Sequence, residues 1–131
     1  MEFTSFKITG VDRDHIERDS TMANAYKYAF ILSGRPDDLW IKFFHHAYRM
    51  SSYGKKRQYS IIGNQVVFTV LGDDHMQAQL DFLKELVSIA NEEYCKQLER
   101  KEEERREEET RKRREQETIQ RFRNEVDKMN F

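Results

Sequence analysis

Cysteine, proline and glycine are scarce in this chain of 131 residues, which has one cysteine, one proline and five glycines. Cys95 has no partner for a disulfide within the chain, so we expect a reducing compartment, the cytosol. The few glycines form no phosphate-binding loop or dinucleotide fingerprint, and zinc-ligand spacing is absent as well. The sequence therefore predicts no cofactor and no metal.

Long apolar runs and net charge are lacking too. No segment approaches the roughly 20 apolar residues of a membrane span, and the N-terminal stretch has no apolar signal-peptide core, so we expect neither secretion nor membrane insertion. The formal charge is −1 and is spread evenly along the chain. This balance argues against a basic field that would draw the whole protein to nucleic acid, and leaves room only for local basic patches.

Charge is nevertheless concentrated in one segment. Residues 99–118 include no apolar side chain, and only Thr110, Gln116 and Thr118 among them are uncharged. Such a segment cannot line a core. We therefore expect a small domain over residues 1–98 and a highly charged helical extension over residues 99–131, with an amphipathic segment at its end.

Two strands are predicted in the first part of the chain. Apolar and polar side chains alternate over residues 3–9 and 25–33, a period typical of strands. Residues 12–24 are polar and predict a loop or a short helical turn.

A first helix should follow, reaching about Met50. Pro36 suits the first helical position, and the acidic Asp37 and Asp38 then meet the positive end of the helix dipole. The apolar face recurs at helical spacing and should dominate the core. Its members are Trp40, Phe43, Phe44 and Ala47.

A polar loop over residues 51–57 leads into two apolar, largely β-branched runs on either side of Gly63 and Asn64. Both residues tolerate positive φ, which predicts a tight hairpin. A second helix should start after Asp73 or Asp74, with Gln77 placed to complete a capping box. Neither glycine nor proline occurs from Asp73 onward, so nothing in the sequence ends this helix early. Its apolar stripe comprises Leu80, Leu83, Val87, Ala90, Tyr94 and Leu98.

These elements predict an α+β fold. We expect a small antiparallel sheet of about four strands in ββαββα order, with two helices on one face. The C-terminal helix should be very long and project from the domain.

The charged segment permits either a solvated helix or a disordered linker. Glutamates precede basic residues by four positions at several places, an orientation that stabilises helices by ~0.2–0.5 kcal/mol per pair. A parallel coiled coil is disfavoured, because a seam carried forward from Leu98 is charged until Ile119. An antiparallel arrangement escapes that objection, since the terminal stripe of one chain can cover the stripe that ends at Leu98 in another.

Histidines and acids suggest weak metal or catalytic candidates. His45 and His46 are adjacent and point about 100° apart on a helix, so they cannot ligate one metal as an i, i+4 pair does. Asp73, Asp74 and His75 lie at the start of the second helix, where Asp73 and Asp74 are expected to act as caps. The acidic run over residues 12–19 lacks the glycine and the terminal glutamate of a calcium-binding loop and is expected as a solvated loop.

A basic and aromatic loop is the candidate nucleic-acid contact. Its members are Arg49, Tyr53, Lys55, Lys56 and Arg57. Cations can bind phosphates and rings can stack on bases, which is how single strands are bound. The alternative is a flexible loop between the first helix and the hairpin.

The candidate contact with a partner or a second copy lies beyond the charged segment. It comprises Leu98, Ile119, Phe122, Val126 and Met129. An amphipathic segment of this kind must fold back, pair with another copy, enter a partner's groove or stay exposed. We therefore expect a non-enzymatic protein–protein interaction or oligomerisation module whose partner is itself or another protein. Nucleic-acid binding is the first alternative, and a small metal-dependent enzyme is the second.

Overall fold

The computed structural model describes residues 3–131 and has the predicted α+β fold, with an antiparallel sheet and two helices. The strands are β1 (Ile8–Val11), β2 (Glu17–Arg18), β3 (Ala25–Leu32), β4 (Gln58–Ile62) and β5 (Gln65–Leu71). The helices are α1 (Asp38–Met50) and α2 (Met76–Lys128), and a 3-10 turn covers Arg13–His15. The fold class is confirmed, including the very long second helix.

The sheet has the order β1-β3-β5-β4, with β2 also paired to β3. β1 pairs with the end of β3 at Leu32, β2 pairs near its start at Tyr26, and β5 occupies the other edge of β3. β1 and β2 are therefore two pieces of one edge strand, interrupted by the 3-10 turn. Residues 12–24 were predicted as a loop or a short helical turn, and they include both this 3-10 turn and the strand β2, which was not predicted.

The core lies on one face of the sheet, beneath α1 and the first part of α2. Alternate residues of β3 and β5 point into it, as expected for strands with one buried face. Helix α1 contributes Trp40, Phe44 and Ala47 to this core. The members of this hydrophobic cluster from the sheet and from α2 are Tyr28, Phe30, Leu32, Val66, Phe68, Val70, Phe82, Leu83, Leu86, Val87 and Ala90.

The first predicted strand is wrong in its bounds, because β1 covers Ile8–Val11 rather than residues 3–9. The backbone of Phe6 is bound by a side chain instead of by a strand. Asn91 Oδ1 accepts from Phe6 N–H at 3.1 Å, and Asn91 Nδ2 donates to the Phe6 carbonyl at 2.9 Å. The same Oδ1 also accepts from Trp40 Nε1 at 3.0 Å. Asn91 thus ties the N-terminal segment to both helices.

The start of α1 also differs from the prediction. Asp37 is the N-cap, and its Oδ1 accepts from Trp40 N–H at 2.9 Å. Pro36 therefore precedes the cap instead of occupying the first helical position. A capping carboxylate bonded to a backbone N–H stabilises a helix start by about 1 kcal/mol.

The hairpin forms where it was predicted, with Ile62 and Gln65 paired across a two-residue turn. Gly63 has φ +61°, and Asn64 is not among the described residues with positive φ. A positive φ at the first central position alone is the pattern of a type II′ turn, which strongly favours glycine there. The hairpin prediction is confirmed, with positive φ needed at one position rather than two.

The predicted capping box at α2 is not formed. The Asp74 carboxylate accepts from Leu71 N–H at 3.0 Å and from Arg57, and the Gln77 amide donates to Asp81 at 2.9 Å. Asp74 instead pairs with Arg57, a cation that local sequence spacing does not indicate.

The chain divides into two compact units, one ending at Cys95 and the other covering Lys96–Phe131. In the second unit, α2 continues through the whole charged segment to Lys128, so residues 99–118 are helical. None of the helices within residues 3–131 has the combination of length and apolar character that crossing a bilayer requires.

Candidate functional site

The terminal stripe consists of Ile119, Phe122 and Val126 on the last three turns of α2, together with Met129, the first residue after the helix ends at Lys128. Their spacing of three, four and three residues places them on one face of the helix. All four are exposed, by 49, 52, 54 and 55% respectively. Large apolar side chains left in water at helical spacing are typical of a surface that another helix covers.

Leu98 is half-buried. It lies directly before the charged stretch of α2, and the terminal stripe lies directly after that stretch. Four of the five residues of the predicted partner contact, from Leu98 to Val126, thus lie on one continuous helix, and Met129 follows directly after its end. Acidic and basic side chains fill the helix between Leu98 and Ile119.

Ion pairs along about three turns of α2 stabilise this charged stretch. Arg105 contacts Glu102 and Glu109, each at 2.6 Å, and Lys112 lies 3.9 Å from Glu108. Arg111 pairs with Glu108 as well. These side chains are largely exposed, so each pair contributes little by itself and together they favour the helix.

Two residues of the predicted nucleic-acid loop are bound inside the domain. Arg57 Nε and Nη2 donate to Asp74 at 2.6 and 2.9 Å, which is a bidentate ion pair. The hydrogen bonds from Arg57 hold the pKa of Asp74 at about 2, well below its ordinary value. Tyr53 stacks on Phe82 with ring centroids 4.4 Å apart, so one face of its ring is already covered.

The other cations of that loop have looser contacts. Lys56 Nζ donates to the Arg49 carbonyl at 3.4 Å and lies 5.4 Å from the centre of the Tyr48 ring. Lys55 and Arg49 are exposed. The loop therefore presents lysines and one arginine without the stacking platform that its sequence suggested.

A polar cleft of about 730 Å³ lies beside the end of α1 and the edge strand β4. Its lining includes Lys27, His45, Arg49, Tyr59 and Thr69. His45 Nδ1 is hydrogen-bonded to the Tyr59 hydroxyl. Burial, together with the charge of Arg49, lowers the pKa of His45, and burial raises the pKa of Tyr59 to about 12. Both groups are therefore neutral at pH 7, and they form a structural hydrogen bond.

The histidines of α1 separate as their 100° offset requires. His45 faces Tyr59, whereas His46 is exposed and lines a groove between α1 and α2. This groove measures about 830 Å³, and its walls include the apolar Phe43, Leu86 and Ile89. The sequence had not indicated Tyr59 as a partner of His45. The signal for this partner is the position of Tyr59 opposite Phe68, on the buried face of the sheet.

The acidic run over residues 12–19 is occupied by local contacts. His15 Nδ1 lies 2.9 Å from both carboxylate oxygens of Asp12, and Asp19 accepts from the backbone and the hydroxyl of Thr21. Within residues 3–131 there is no group of three or more histidine, cysteine, aspartate or glutamate side chains arranged to hold a metal ion. Asp73 and His75 are exposed beside the Arg57–Asp74 pair.

Comparison of the chain with protein-family models, curated proteins and solved structures finds no match. Function must therefore be inferred from the geometry of this chain alone.

Proposed function

We propose that this protein is a non-enzymatic self-association module, in which α2 joins copies of the chain through the terminal stripe. The observation that supports this proposal is the exposure of Ile119, Phe122 and Val126 on one face of a helix that is otherwise polar over residues 99–128, with Met129 exposed directly after it. A second copy offers a surface of the same kind, so the partner that completes it is already available.

The energetic argument is the cost of leaving the stripe in water. Full burial of a valine, isoleucine, phenylalanine or methionine side chain contributes about 1.5–3 kcal/mol. Each residue of the stripe is roughly half exposed, so pairing gains part of that amount at every position. Summed over two chains, these gains are of the same order as the free-energy cost of association.

Nucleic-acid binding through the loop has weaker support. Arg57 is engaged by Asp74, and one face of Tyr53 is covered by Phe82. Arg49 and Lys55 are exposed, but positive and negative charges are spread evenly over the chain, so no net basic charge adds to these two side chains. We place the module in the cytosol, because a lone cysteine suits a reducing compartment.

The test is the absolute mass of the full chain in solution, measured by light scattering over a wide concentration range. We expect a mass that rises from one chain towards two. The variant carrying Ile119→Ser and Phe122→Ser should remain a monomer to concentrations at least tenfold higher, because it removes two apolar side chains from the stripe. The matched control carries Gln120→Ser and Asn124→Ser, which lie off the stripe, and should associate like the wild type.

A wild-type chain that is monomeric at every concentration contradicts self-association. In that case the stripe becomes a contact for a different protein. Equal association of the wild type and the stripe variant would show that the copies meet elsewhere.

A further inference from the structure

The seam of α2 is the row of residues that continues the terminal stripe backwards along the helix at alternating steps of three and four. Within Lys96–Phe131 it begins at Leu98 and reaches the stripe at Ile119. Between these ends its members are Lys101, Arg105, Glu108, Lys112 and Glu115. The two ends of the seam are apolar and the middle is charged.

Parallel pairing of two copies is unfavourable along this seam. In a parallel pair in register, each residue meets the same residue of the other chain. Arg105 would face Arg105, and Glu108 would face Glu108. Every charged layer would then set like charges against each other, which opposes association.

Antiparallel pairing reverses this outcome in one register. When Leu98 is set opposite Phe122, the same alignment sets Arg105 opposite Glu115 and Glu108 opposite Lys112. Lys101 then lies opposite Ile119, where its aliphatic stem can pack and its ammonium can reach water. Tyr94, one step before Leu98, already contacts Phe3 and donates to Asp37 in its own domain, so the matched layers run from Leu98 to Phe122. Each of these layers occurs twice, because the two chains are related by a two-fold axis near Thr110.

The neighbouring antiparallel registers lack this match. A shift of one heptad in one direction sets Lys101 against Lys112 and Leu98 against Glu115. The opposite shift sets Phe122 against Arg105 and Ile119 against Glu108. Either shift removes the Leu98–Phe122 layers and keeps one kind of opposite-charge layer in place of two, Arg105 with Glu108 in the first and Lys112 with Glu115 in the second. The second shift also brings Met129 opposite Leu98, but it sets the other apolar residues against charges. The charged middle of the seam thus discriminates between registers, a use of charge that gives specificity more than affinity.

We propose that a second copy of this chain occupies the seam, forming an antiparallel two-stranded coiled coil in which Arg105 faces Glu115 and Leu98 faces Phe122. This inference rests on the proposed self-association and specifies its geometry. The side chains are free to adopt it, since Arg105 and Glu115 are 56 and 65% exposed. Arg105 keeps its contacts with Glu102 and Glu109 on its own helix while Glu115 approaches from the other chain.

The test is a charge exchange in the full chain, read as a dimer dissociation constant. Arg105→Glu sets glutamate opposite Glu115 at two symmetric positions and should weaken the dimer about tenfold or more. Addition of Glu115→Arg restores opposite charges between the chains and should return the constant to within about threefold of the wild type. That exchange places like charges closer together along each helix, so recovery cannot come from within one chain.

The matched control is Arg106→Glu, one residue off the seam. Arg106 also contacts Glu102, at 3.5 Å, so this change perturbs the helix in a comparable way without altering a seam layer. It should change the dissociation constant by less than about threefold. Circular dichroism of all variants establishes that the helix is retained.

The outcomes separate the two proposals. Recovery in the double variant alone supports the antiparallel register. A wild-type dimer that the exchange does not rescue overturns the register and leaves self-association standing. A wild-type chain that never dimerises overturns both.

Discussion

Arg57 and Asp74 form a bidentate ion pair, with nitrogen–oxygen distances of 2.6 and 2.9 Å. The Asp74 side chain is only 5% exposed, and its Oδ2 also accepts from Leu71 N–H. The pair fixes the loop before β4 to the turn that leads into α2. A residue expected to bind nucleic acid and one expected to cap a helix thus have a common structural role.

Asp74→Asn should lower the free energy of unfolding at pH 7 by about 2 kcal/mol, the equivalent of a pKa drop from 3.8 to about 2. Because the folded-state pKa is depressed, this stabilisation is complete above about pH 4 and is lost as pH falls through 2. Urea unfolding of both proteins across this range measures it. Asp73→Asn, at the exposed neighbour, should change stability by less than about 0.5 kcal/mol. A wild-type advantage that persists unchanged at the acid limit would contradict the role of the ion pair.

Tyr28 and Tyr59 offer a matched test of one buried oxygen atom. Tyr28 Oη is buried and has no hydrogen-bond partner among residues 3–131, whereas Tyr59 Oη is bonded to His45. Tyr28→Phe should therefore be neutral or stabilising, and Tyr59→Phe should cost about 1 kcal/mol in chemical denaturation. A larger loss of stability for Tyr28→Phe than for Tyr59→Phe would contradict an unpaired Tyr28 hydroxyl and a hydrogen-bonded Tyr59 hydroxyl.

Alkaline pH should destabilise the domain through the same two residues. Burial raises the pKa of both hydroxyls to about 12, above the ordinary value of 10.0. Their contribution is fully present below pH 10 and is lost as pH rises through 12, because the unfolded chain releases these protons first. Thermal melts between pH 9 and 12 should fall less steeply in the double phenylalanine variant. Parallel curves would contradict the assignment.

His45 should titrate below its ordinary pKa of 6.5, because burial and Arg49 both disfavour the imidazolium. The depressed pKa means that stability is lost as pH falls below 6.5, where the unfolded chain binds the proton more readily. NMR titration of the His45 ring measures this directly. Arg49→Gln should move the midpoint upwards, and Arg35→Gln, at an exposed arginine before α1, is the control. A midpoint at or above 6.5 in the wild type would contradict the burial of this ring.

Phe44 and Phe122 separate folding from association. Phe44 is completely buried, so Phe44→Ala should cost about 3–5 kcal/mol in unfolding free energy. Phe122 is half exposed, so Phe122→Ala should leave the unfolding of dilute, monomeric protein nearly unchanged. Melting at low and high concentration measures both effects. A large loss at low concentration for Phe122→Ala would mean that the stripe docks within its own chain.

The sequence predicted the elements whose signals are local. The period of Trp40, Phe44 and Ala47 located α1, and Gly63 located the hairpin, because these patterns depend on residues a few positions apart. Asn91 and Asp74 were not predicted in their actual roles. Asn91 binds Phe6, which is 85 positions away along the chain, and Asp74 binds Arg57, which is 17 positions away. No pattern of neighbouring residues predicts contacts between residues this far apart in the sequence.

The candidate site was only partly predictable for the same reason. Ile119, Phe122, Val126 and Met129 could be placed on one exposed face, because helical period and polar surroundings are both local. The sequence left open whether residues 99–118 form a helix or a disordered linker, because the i, i+4 charge pairs there contribute small free energies of both signs. The engagement of Arg57 and Tyr53 inside the domain required the tertiary structure.

Distances between spin labels on two copies test the central claim most directly. Labels are attached at Thr110→Cys or at Asn124→Cys, each in a Cys95→Ser background, and measured in the full chain by pulsed dipolar spectroscopy. In the proposed antiparallel dimer, labels at 110 lie at the same height on the two-fold axis, and labels at 124 are offset by 28 residues, about 42 Å. We therefore predict a short distance at 110 and a long one at 124. Equally short distances at both positions would contradict the antiparallel dimer, and the absence of any interchain distance would contradict self-association itself.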